Sequence, residues 1–287
     1  MRDCIGYDCF GAGQHLGRNS ILSKKNVFIE GIPGTGKSTL LNKLQKEIKD
    51  YQFYWEGDIS PVELAWCSYM TKKEYNEVLI KWPDFSAEIQ EFTKKEDNHI
   101  ITAYTRIKTD QYELYGEMER FELYGGRRKF EEFHSIIMKR FKEFGEKGTV
   151  FECSFFQNII EELMMFYLYD ENQILEFYQQ LIANIDMEAF LLIRLVTPDI
   201  EESLLQIIDE RVDENNEKIW FQMVLEYYNQ SPYGKKHPFN GVEDLIAHFT
   251  RRIRLEKSIM DQLFPNNYVE LKSKQYDIRD IVKKING

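Results

Sequence analysis

The chain is short of several things, and each shortage excludes something. Its 4 cysteines are Cys4, Cys9, Cys67 and Cys153, and no two of them have the two-residue spacing of a zinc or redox motif. They read as free thiols in a reducing compartment, which makes the cytoplasm the expected location. The 5 histidines, at 15, 99, 134, 237 and 248, show no metal-ligand spacing either. Basic residues are outnumbered, 37 against 48 acidic ones, for a net charge of −11. A general grip on DNA or RNA needs a basic surface to release counterions, so no general nucleic-acid binding is expected. Long apolar runs are missing as well. The best are Leu163 to Tyr169 and Ala189 to Val196, and Arg194 interrupts the second. Neither could span a membrane. The first residues contain no apolar core of the kind a secretory signal carries.

What the chain does have is aromatic surface to bury. With 20 Phe, 17 Tyr and 4 Trp in 287 residues, general disorder is excluded. The length suits one large domain, or a domain with a substantial insertion. Residues 1–24 differ from the rest, with glycines at 6, 11, 13 and 17 and little apolar periodicity. Gly11-Ala12-Gly13 is not a dinucleotide loop, because no strand precedes it and Leu16 stands where the third glycine belongs. This stretch reads as a poorly ordered extension.

Residues 25–287 read as one α/β domain. Asn26 to Glu30 is a short apolar strand, and Leu40, Leu41, Leu44 and Ile48 then recur at helical spacing. Further strands are expected at Gln52 to Trp55, Thr149 to Glu152, Ala189 to Val196 and Tyr268 to Leu271. Helices are expected between them, among them Phe156 to Ala183 in two pieces, Asp199 to about Asp213, and Val242 to Leu263. Strands alternating with helices predict a mainly parallel five-stranded sheet with helices on both faces. Residues 59–147, between the second and third strands, are too long for a simple crossover. They read as a mostly helical insertion that covers or shapes a substrate pocket, or as a structural cap, with His99 to Tyr104 as one extended segment.

The strongest motif lies between the first strand and first helix: Gly31-Ile32-Pro33-Gly34-Thr35-Gly36-Lys37-Ser38-Thr39. Its glycines leave backbone N–H groups free to curl around an anion. The following helix turns its positive end to the same place. Lys37 supplies a movable ammonium for the terminal phosphates of a nucleotide, and Ser38 a hydroxyl for Mg²⁺. ATP and Mg²⁺ are therefore the expected cofactors.

Discrimination among nucleotide-using proteins must come from other strand ends, because ligands of such sheets sit at the carboxyl ends of the strands. The second strand runs into Glu56 and Asp58, and the third ends at Glu152. One carboxylate could hold Mg²⁺, and another could take the proton of an acceptor hydroxyl. Trp55-Glu56-Gly57-Asp58 and Phe151-Glu152-Cys153-Ser154, taken with the P-loop, resemble the thymidylate kinase and deoxyribonucleoside kinase group. The resemblance covers roughly residues 25–58, 148–212 and 265–287. It implies an acidic acceptor-site residue, matched best by Glu56, and an acid at Glu152. Cys153 stands where that group carries an arginine. The resemblance also implies an arginine-bearing lid after the fourth strand, for which Arg211 is the first candidate and Arg251, Arg252 and Arg254 are others. Arg252 and Glu256, four apart, could instead simply pair on a helix face.

The expectation is phosphoryl transfer from ATP to a small-molecule acceptor, nucleoside-like, nucleotide-like or antibiotic-like. In it Lys37, Glu56, Asp58 and Arg211 are the catalytic candidates, and Ser38 and Glu152 the metal ligands. The chain leaves room for a homodimer. Two other readings stay open: a nucleotide-dependent switch ATPase, and a nucleotide-binding module without turnover. Against the first stands the lack of a long apolar strand ending in Asp-Glu and of an Asn-Lys-x-Asp motif. Against the second stands the intact Lys37-Ser38 pair.

Overall fold

The computed structural model describes residues 24–213 and 216–286. Apart from Lys24, the expected extension at 1–24, with Cys4 and Cys9, lies outside the described residues.

Five strands build the central sheet: β1 (Asn26–Glu30), β2 (Gln52–Tyr54), β6 (Thr149–Glu152), β7 (Phe190–Val196) and β8 (Tyr268–Lys272). Their order is β2-β6-β1-β7-β8 and every neighbouring pair is parallel, as expected. The chain leaves β1 toward one edge and later crosses to the other, so the switch point of the topology lies at the carboxyl end of β1.

Alternation along β1 divides the core. Phe28 faces one side, where it stacks on Phe151 with ring centroids 4.8 Å apart. Val27 and Ile29 face the other, against Leu40, Leu41 and Leu44 of α1 (Lys37–Glu47) and Ile281 and Ile285 of α11 (Ile278–Asn286). The Phe28 side is covered by α5 (Phe130–Glu143), α6 (Gln157–Glu161), α7 (Glu171–Ile182) and α10 (Val242–Leu263). α6 runs on into a π-helical turn, Glu162–Phe166, and residues 167–170, outside any helix, divide the two pieces expected there. α8 (Ile200–Glu210) starts on an Asp199 side chain that accepts from Glu202 N. α9 (Ile219–Gln230) completes the covering and was not foreseen from spacing.

Residues 59–147 are less helical than expected, while the extended segment expected at His99 to Tyr104 falls on a strand, His99–Thr102. Besides α5, they hold α2 (Lys72–Lys81), α3 (Ser86–Glu91) and α4 (Tyr112–Glu119). They also hold an antiparallel sheet in the order β3-β5-β4, formed by β3 (Ser68–Thr71), β4 (Thr93–Glu96) and β5 (His99–Thr102). Pro61 lies in an irregular run. Val62, Leu64, Cys67, Leu123 and Tyr124 join the same core as Phe28 and Phe151, so this segment is packed against the sheet. Tyr104, Met70 and Met118 build a smaller core of its own. Among the described residues no helix is long and apolar enough to cross a membrane.

Candidate functional site

The loop after β1 has a shape that only its glycines permit. A Cβ on Gly31 would stand 2.8 Å from the Leu195 carbonyl oxygen, and one on Gly34 would stand 2.7 Å from that of Ser203. Gly34 and Gly36 have φ of 84° and 89°. Thr35 steadies the turn by donating from Oγ1 to Ile32 O at 2.8 Å, and Ser273, after β8, donates to Thr35 O at 2.8 Å. Gly36 is the N-cap of α1, and no side chain caps that end. The first N–H groups of the helix therefore face the space in front of the loop without a side-chain partner. The buried Lys37 folds back over the loop, donating from Nζ to Gly31 O at 2.8 Å and to Ile32 O at 3.3 Å. Ser38 and Thr39 are exposed at the helix start.

The carboxylates named from the sequence gather on the β6–β2 side of this loop. Ser38 Oγ donates to Glu152 Oε1 at 2.5 Å, and Glu56 N lies 3.4 Å from Glu152 Oε2. Glu56 is positioned by two donors, Trp66 Nε1 at 3.1 Å and Gln157 Nε2 at 2.8 Å. Trp66 is an exposed non-glycine residue with φ of 62°, a conformation that costs energy and tends to collect at working sites. Asp58 faces differently: it accepts from Trp55 N at 2.8 Å and is paired with Arg106. Cys153, next to Glu152, is buried, and burial pushes its thiol well up.

Behind the loop lies a set of buried charges. Glu30 ends β1, and its carboxylate accepts from Phe155 N at 2.7 Å, Phe156 N at 2.9 Å and Gln157 N at 3.2 Å. Burial nevertheless pushes it up to about 7, against the pull of those amides. Arg252 of α10 donates to Glu161 Oε1 at 2.7 Å and lies 3.0 Å from Glu256, while Arg194 of β7 reaches Glu256 at 3.3 Å and Glu270 at 3.1 Å. His248 Nε2 lies 2.8 Å from Glu161. Burial would raise Glu161, but His248 and Arg252 outweigh it and hold the carboxyl down at about 2. A cavity of about 40 Å³ separates Gly31 and Ile32 from Arg194 and Glu256, with room for a water molecule.

Of the residues named in advance, the structure brings Lys37, Ser38, Glu56 and Glu152 together, with Asp58 beside them. Arg211 follows α8, whose Ser203 and Ile207 touch Gly34; its guanidinium lies 5.6 Å from the centre of the Trp220 ring. Arg252 is buried in the ion-pair set, and Arg251 lies 3.8 Å from Glu171. Tyr104 and Tyr124 are core residues, while Tyr112 is exposed. Reasoning from sequence missed Trp66, Arg106, Gln157 and Glu30. Only Glu30, the last residue before the loop, had a local signal, as a charge ending an apolar strand.

The donor set suits a hard cation held partly by phosphate oxygens. Ser38 and Glu152 offer oxygen ligands in contact with each other, and Mg²⁺ is held by one or two carboxylates together with substrate phosphates. Among the described residues no group of three or more His, Cys, Asp or Glu side chains is arranged to cage a metal unaided.

No protein-family model matches the chain, and no curated protein matches it. Among solved structures it is similar to a gluconokinase from Sinorhizobium meliloti 1021. That match has 10% identity and a TM-score of 0.31, and covers 92% of this chain and 90% of the other. So loose a likeness does not single out the thymidylate kinase and deoxyribonucleoside kinase group and carries no argument about function.

Proposed function

We propose that the protein is an ATP- and Mg²⁺-dependent small-molecule kinase. The observation that carries this reading is the meeting of Lys37, Ser38, Glu152 and Glu56 at the carboxyl ends of β1, β2 and β6. Residues 59–147, folded against that end, would shape the acceptor pocket.

The loop amides and the start of α1 hold the donor phosphates, and Lys37 swings from the Gly31 and Ile32 carbonyls onto them. Ser38 and Glu152 would hold Mg²⁺, which neutralises charge on the phosphates when bound. Glu56, fixed by Trp66 and Gln157, orients the acceptor hydroxyl and takes its proton. The hydroxyl oxygen bonds to the γ-phosphorus as the bond from that phosphorus to the β,γ-bridging oxygen breaks, and ADP leaves. Arg211, one turn beyond Ile207 of α8, covers the transferring group. Catalysis is mainly positioning and charge neutralisation.

ATP consumption with a panel of hydroxyl compounds and nucleotides tests the reading, with Glu56→Gln alongside. The expected result is stoichiometric ADP and a phosphorylated acceptor with one compound class, and a turnover loss of about 10²-fold or more in the variant. ATP binding with no acceptor-dependent turnover would favour a switch or a binding module instead.

A further inference from the structure

The charges beside the loop are one-sided. Glu56, Asp58 and Glu152 stand there, and the buried Glu63 lies close enough to Glu56 for that charge to act on it. Among the described residues, the cations that act on these carboxylates are already engaged. Arg106 is paired with Asp58. Arg140, which acts on Glu63, is paired with Glu96 and donates to Ser60 O. Lys37 serves the donor side of the loop.

A phosphate or carboxylate on the acceptor would need cations or several N–H donors of its own, and would otherwise face Glu56, which no cation pairs among the described residues. One buried polar atom asks for the opposite. Gln157 gives its Nε2 to Glu56, while its Oε1 is buried and has no hydrogen-bond partner. An amide oxygen can only accept, so it calls for an O–H or N–H.

From this we infer that the acceptor is a hydroxyl compound without negative charge, an uncharged or amine-bearing polyol, and that its anionic relatives are rejected by charge. The inference rests on the kinase reading above and names its substrate class.

Matched acceptors test it: a nucleoside against its 5′-monophosphate, and a hexose and its amino sugar against the corresponding sugar acid. The readout is kcat/KM for ADP formation with ATP·Mg²⁺. Within the pair that is turned over, the member without the anionic group is expected to lead by about tenfold or more. Asp58→Asn frees Arg106, and the anionic-to-uncharged ratio should then rise several-fold. Arg106→Gln reads the same contact in the other direction, and the ratio should fall. An anionic acceptor that wins its pair, or a ratio that neither variant moves, overturns the inference while leaving the kinase reading intact. Absence of ADP formation with every acceptor, despite ATP binding, removes the kinase reading and this inference with it.

Discussion

The Ser38 hydroxyl donates to Glu152 Oε1 at 2.5 Å, tying the first turn of α1 to the last residue of β6 across 114 sequence positions. Both residues sit where the switch point of the sheet places a ligand. Glu152→Gln keeps the hydrogen-bond acceptor and removes the charge. The Mg²⁺ concentration at which ATP half-maximally stabilises the protein should rise by about tenfold or more, while stability without nucleotide changes little. An unchanged Mg²⁺ response would take Glu152 out of the metal site.

Four buried carboxyls predict an unusual pH dependence. Burial pushes Glu30 and Glu162 up to about 7, and Glu63 and Glu122 up to about 8, from an ordinary 4.5. Between those values the unfolded chain has released protons that the fold retains. The stability these groups support is full below about pH 4.5 and is lost as pH rises toward 8. Glu161, held at about 2, works in reverse: its contribution is present above 4.5 and lost as pH falls toward 2. Denaturant unfolding should therefore show greatest stability near pH 5 and a decline by pH 8. Glu30→Gln should flatten the slope between pH 5 and 7, by up to roughly 1.4 kcal/mol per pH unit. A slope that the variant leaves intact would contradict the assignment.

Arg252 should behave as a core residue. The residue is 1% exposed, with its guanidinium between Glu161 and Glu256. Removing it in Arg252→Met strands buried carboxylates and should cost about 3–5 kcal/mol in urea unfolding. A stable variant that has lost only turnover would return Arg252 to the phosphates.

Cys153 should be dispensable for chemistry. Its thiol is buried and pushed well up, so little thiolate exists at neutral pH. Cys153→Ala should keep turnover within about twofold, and the native thiol should resist alkylation. Loss of turnover in a folded Cys153→Ala protein would assign the thiol a chemical role.

The parts of this fold legible in the sequence are those where burial acts alone. β7 is read from its apolar run, broken only by Arg194, because both of its faces are covered, and α10 from its 3.6-residue spacing over Val242–Leu263. β4 reads Thr-Lys-Lys-Glu, and its edge position, set by pairing with β5, leaves no apolar signature. Glu30 and Arg194 stand on strands as charges, and their partners lie far along the chain, Phe155 being 125 positions from Glu30. The same holds for Gln157, which fixes Glu56 from 101 positions away. The loop itself was legible because phosphate-sized concavity demands glycines at fixed offsets; the pocket around it is built from long-range contacts.

The most direct test is the melting temperature with and without ATP·Mg²⁺, for the parent protein and Lys37→Ala. The account predicts a clear rise for the parent that depends on both ATP and Mg²⁺, and none for the variant. An equal rise in both proteins would mean that the nucleotide binds elsewhere and that the loop after β1 is not the phosphate site.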